Sequence, residues 1–77
     1  MQVSRTTHYK IVVEGPLDPI WLECLGALEV SEQRKPGLPV VTYLEGQFVD
    51  QSALQGVIDT LFMLGMPLML VERVSLA

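Results

Sequence analysis

Val13-Glu14-Gly15-Pro16-Leu17-Asp18-Pro19-Ile20-Trp21-Leu22-Glu23-Cys24-Leu25-Gly26 is the stretch on which the fold turns. It begins as the end of a β-rich run and breaks at Gly-Pro. It restarts at Asp-Pro, a helix-opening pair: the carboxylate caps free backbone N–H groups, and Pro is tolerated at the first helical position. Ile20, Trp21, Leu22 and Leu25 follow, and Gly26 is a plausible stop. The reading is a short helix over about 19–25. A second stretch, Leu44-Glu45-Gly46-Gln47-Phe48-Val49-Asp50, repeats the punctuation of strand, Glu-Gly, short loop and Asp. It predicts that a strand ends at Gly46 and that Asp50 caps a second helix. The apolar positions of that helix, Leu54, Val57, Ile58, Leu61 and Leu64, fall at helical spacing.

Working outward, residues 7–14 read as a first strand. Tyr9, Ile11 and Val13 share one face, and His8, Lys10, Val12 and Glu14 the other. Residues 27–33 read as an edge strand. Arg34-Lys35-Pro36-Gly37 reads as a type II turn, because Pro fixes negative φ and Gly accepts positive φ. A third strand over 40–45 follows Pro39. Gly65 and Pro67 end the second helix, and Leu68–Val74 reads as a fourth strand, apolar on both faces and so expected to be covered on both. The predicted fold class is α+β: a ferredoxin-like β-α-β-β-α-β chain with a four-stranded antiparallel sheet, order 4-1-3-2. Both helices lie on one face, strands 1 and 3 are central and parallel, and the other face is bare. Residues 1–6 are expected to form a flexible N-terminus before one domain over 7–76.

Ile11, Val13, Gly15, Leu17, Asp18 and Trp21, with Leu44, Gly46, Asp50, Gln51, Ala53, Leu54, Gly56, Val57, Leu61, Gly65, Pro67 and Leu68, resemble the pattern of a group of small bacterial proteins without an assigned activity. The resemblance covers roughly residues 10–75. It implies the same split β-α-β pattern and transfers no catalytic residue, since its positions are mostly caps, turns and core.

Bulk composition narrows function. A 77-residue chain is close to the lower limit for a self-sufficient core, with about 3–5 kcal/mol of net stability to be expected. Cys24 is the only cysteine and His8 the only histidine, which excludes an internal disulfide and argues against a zinc site. The chain is 49% hydrophobic and 18% charged, apolar for so large a surface-to-volume ratio, so leftover apolar surface is expected to mark an interface. A net charge of −4 and five scattered basic residues argue against nucleic acid and anionic membrane partners. The polar start MQVSRTTHYK does not read as a signal peptide. The apolar run 61–71 is broken by Gly65 and Pro67 and is shorter than the ~20 residues of a spanning helix. A cytoplasmic protein is expected.

Glu14 and Glu45 are the low-ranked ligand or cation candidates. Ending parallel neighbouring strands, they would perturb each other's titration or share a cation; the plainer reading leaves both in solvent. Asp18 and Asp50 read as caps. Cys24 lies near a helix C-terminus, where a thiolate is disfavoured, and reads as inert. Trp21 is either a core-edge residue or a partner anchor. Lys10, Val12, Val41, Tyr43, Met69, Val71 and Arg73 are expected on the bare sheet face, as interface candidates. Phe62, Met63 and Met66 flank the second helix as core edge or contact surface. Neither catalytic residues, metal nor cofactors are expected. The leading expectation is a non-enzymatic binding or assembly module that dimerises through its sheet face. The alternatives are a small-molecule or cation sensor using the dimer cleft or the Glu14/Glu45 end, and an accessory subunit of a larger complex.

Overall fold

The computed structural model describes residues 6–26 and 28–74. It contains strand β1 (Thr7–Glu14), a single 3₁₀ turn (Pro19–Trp21), β2 (Glu29–Gln33), β3 (Val41–Phe48), helix α1 (Gln51–Met63) and β4 (Leu68–Arg73). The strands form one sheet in the order β2-β3-β1-β4. That is the expected order, and every pairing is antiparallel. The expected loose N-terminus lies, Thr6 apart, outside the described residues, as does Ala27 at the start of the second strand.

Two expectations are corrected. The first concerns helix 1, which is reduced to the 3₁₀ turn and a run of turns ending at Gly26, so the fold is α+β with a single helix and not the two-helix ferredoxin-like arrangement. Asp18 does cap, its Oδ1 accepting from Ile20 N–H at 3.0 Å. The bonds that follow run mainly three residues back: Trp21 to Asp18, Leu22 to Pro19, Cys24 to Trp21 and Gly26 to Glu23. Seven residues between a cap and a positive-φ glycine (Gly26, φ 79°) leave little chain over which to repay helix nucleation. Burial finishes the selection. Leu17 and Leu25, at the two ends of the segment, enter the core, while Ile20 stays 72% exposed and Leu22 38%. A tight turn that buries its ends satisfies the chain better than a helix with no continuous apolar stripe.

The second correction concerns direction. β1 and β3 are neighbours, as expected, but antiparallel. β2 and β3 form a hairpin, so they oppose each other, and β3 lies between β1 and β2. The segment from β1 to β2 therefore crosses over β3, and α1, linking β3 to β4, crosses over β1.

The hairpin turn is as predicted, with Leu38 N–H donating to Lys35 C=O at 3.1 Å and Gly37 at φ 77°. β3 runs three residues past the expected end because Gly46 pairs with Tyr9 within the ladder. The Tyr9 ring, opposite Gly46, meets Phe48 edge-on at 5.8 Å. α1 starts where Asp50 Oδ1 accepts from Ala53 N–H at 2.8 Å. Ile11 and Val13 from β1, and Leu44 and Phe48 from β3, form the core with Leu54, Val57 and Leu61 of α1, joined by Leu17, Leu25 and Met66. Thr42, fully buried among them, donates to Gly15 C=O at 2.6 Å.

Candidate interaction face

Because strand side chains alternate, the residues between the core positions point to the opposite, open face. The registers order them into rungs, sets of residues directly opposite one another on neighbouring strands. Glu29, Glu45, Lys10 and Glu72 form one rung across β2, β3, β1 and β4. The next is Ser31, Tyr43, Val12 and Leu70, and the one beyond it holds Gln33, Val41 and Glu14. One end of the face is thus acidic, the middle rung mostly apolar, and the far rung mixed.

The interface candidates are only partly brought together. Lys10, Val12, Val41 and Tyr43 share the open face in adjacent rungs. Lys10 Nζ stands 5.8 Å from the centre of the Tyr43 ring, and Tyr43 Oη donates to Gln33 Oε1 at 3.2 Å. Met69 joins them, lining a cleft of about 190 Å³ with Glu14, Gln33, Lys35, Leu38, Pro39 and Val41. Val71 and Arg73 do not belong to this face, which corrects that expectation. They sit opposite Ile11 and Tyr9, and Val71 packs against the core. The cause is a break in register between Val12 and Val13: Val12 faces Leu70 and Val13 faces Leu68, leaving Met69 as an extra residue. A bulge of this kind shifts alternation by one, and no sequence signal marks it here. Leu70 and Glu72 therefore occupy places assigned to Val71 and Arg73. Trp21 is not on this face; it lies in the 3₁₀ turn, 37% exposed.

Glu14 and Glu45 end up on the same face but not together. Antiparallel pairing sets Glu14 opposite Val41 and Glu45 opposite Lys10, four residues apart along the strand, or about 13 Å. This corrects the expected shared end. Glu45 is engaged instead by His8, whose Nε2 lies 2.8 Å from its Oε2. Glu29, missed in the sequence, faces Glu45 directly, a like-charge pair that opposes sheet formation. Among the described residues no three of His, Cys, Asp or Glu gather as metal ligands. Cys24 is exposed and lines a groove of about 410 Å³ with Phe48, Ser52 and Gly56 on the covered side. No helix among the described residues is long and apolar enough to cross a membrane.

Among the described residues, fold and face together define a small α+β domain with a helix on one side of its antiparallel sheet. Residues 8–72 match the family described as Domain of unknown function (DUF8691), and the chain belongs to that family. No curated protein and no solved structure matches the chain.

Proposed function

We propose that the chain is a small non-enzymatic binding and assembly module that self-associates through its open sheet face. One observation carries the reading: Tyr43, Val12 and Leu70 form an apolar rung, flanked by Val41 and Met69, on the face opposite α1 and the 3₁₀ turn. Met69 is 57% exposed and Leu70 41%. Covering such side chains removes apolar surface at about 25 cal/mol per Å², and a core this small gains from any addition. Size-exclusion chromatography with light scattering tests it. The wild type is expected to elute as a dimer at micromolar concentration and Leu70→Asp as a folded monomer; a wild-type monomer would remove the proposal.

The cleft bounded by Glu14, Lys35, Leu38, Val41 and Met69 favours a second reading, a small-molecule site lined by one acidic, one basic and several apolar side chains. A bound ligand raises stability by about 2.7 kcal/mol at a hundred times its Kd. A thermal-shift screen of metabolites and divalent cations on wild type and Glu14→Gln checks it. A response confined to the wild type supports the site, and silence in both eliminates it.

A further inference from the structure

The proposed self-association leaves open how the second copy is oriented, and the charges of the open face decide it. Lys10, Val12 and Glu14 follow one another along β1 on that face, with Val12 midway. Among the described residues the ion pairs are His8–Glu45 and Arg34–Glu32, so Lys10 and Glu14 are each left without one. Both are half-buried; Lys10 stands between Glu45 and Glu72 in its rung, whereas Glu14 faces Val41, which makes its charge more costly than it is in open water. The two stand about 13 Å apart, too far to meet within one chain.

We infer that a second copy of this chain lies end over end on the face, related by a two-fold axis that runs along the rung of Val12 between the two sheets. This rests on the self-association reading above. The rotation leaves each strand over its own copy but reverses its direction. Tyr43 then meets Tyr43 and Leu70 meets Leu70 on either side of Val12, which is only 6% exposed within one chain, so the apolar rung is covered by itself. Lys10 of each copy comes opposite Glu14 of the other, twice over. Lys35, at the far end of the face beside Glu14, is carried towards the start of the partner's β2, where Glu29 lies.

The competing two-fold, with its axis along the strands, would set Lys10 over the partner's Glu45, a carboxylate already engaged by His8, and fits worse in three other respects. It sets β2 over β4 and β3 over β1, because the sheet order is β2-β3-β1-β4. Leu70 would then cover Ser31. Glu29 would face the partner's Glu72, and like charges brought together across an interface carry a heavy penalty. Glu14 would lie over Val41 and stay unpaired. A partner of other chemistry needs its own acidic and basic groups at this spacing, whereas a second copy supplies both by symmetry. The interface is isologous and closes at two subunits.

Charge reversal tests the orientation. Lys10→Glu and Glu14→Lys are each expected to weaken dimerisation at least about tenfold, because each replaces two attractive contacts with two repulsive ones. An equimolar mixture of the two variants is expected to form the heterodimer at wild-type strength, and the double variant to recover the homodimer. Sedimentation velocity reads the masses, and recovery in the mixture shows that both single variants fold. A wild-type dimer that is indifferent to both reversals, with no preference for the heterodimer, overturns the orientation and leaves self-association standing. A wild-type monomer overturns both.

Discussion

At the residue scale, one dipeptide does two jobs. Glu14-Gly15 ends its strand, with Gly15 at φ 109°, its N–H bonded to Val40 C=O and its own carbonyl receiving Thr42 Oγ1. Glu45-Gly46 sits inside a strand, where Gly46 pairs with Tyr9. The letters are the same in both places, and only the neighbouring strand decides the role, so the repeat misleads when it is read alone. The caps were legible because a cap is local: Asp18 and Asp50 both accept backbone N–H groups as expected. Asp50→Ala is expected to cost about 0.5–2 kcal/mol in denaturant unfolding. Asp18→Ala should cost less, since it caps a single turn. Thr42→Val keeps the shape of a fully buried side chain but deprives Gly15 C=O of its donor, for an expected loss of about 1–3 kcal/mol in the same assay. Glu29→Gln, which relieves the repulsion from Glu45 across the hairpin, should stabilise by a few tenths up to about 1 kcal/mol.

At the element scale, legibility followed length and periodicity. α1 was predicted almost to its ends because thirteen residues carry a full apolar stripe, with Leu54, Val57 and Leu61 buried. The shorter segment after Asp18 had a cap, a proline and a glycine but no stripe, and local signals without a face to bury did not make a helix. Strand positions were well read, and their mutual direction was not. Direction depends on which strand slips between two others, a fact about the whole sheet that no segment contains. The β4 bulge is of the same kind: residues 68–71 are apolar throughout, so alternation gives no warning of the extra residue at Met69. Gly56 offers a test of α1. A Cβ built there meets nothing within 4 Å, and Gly-to-Ala in a helix interior is worth about 1 kcal/mol. Gly56→Ala is expected to raise the unfolding midpoint in urea; a fall would mean that the groove beside Cys24 is filled.

At the scale of the whole molecule, a sheet covered on one side has to account for its other side. Among the described residues, one rung of the open face holds three glutamates and one lysine, the middle rung is mostly apolar, and the far rung mixes Gln33, Val41 and Glu14. In the proposed pairing the middle rung covers itself, and the acidic rung of each copy comes over the Gln33, Val41 and Glu14 rung of the other. If the chain self-associates as proposed, the thermal midpoint of the wild type rises with protein concentration, as mass action requires of a dimer, and that of Leu70→Asp stays fixed. The central claim, that the open face binds a second copy, is met most directly by sedimentation equilibrium of the wild type over a dilution series. The expected result is a mass of twice the 8.6 kDa chain at micromolar concentration, falling towards the chain mass on dilution. A mass of 8.6 kDa at every concentration would contradict it.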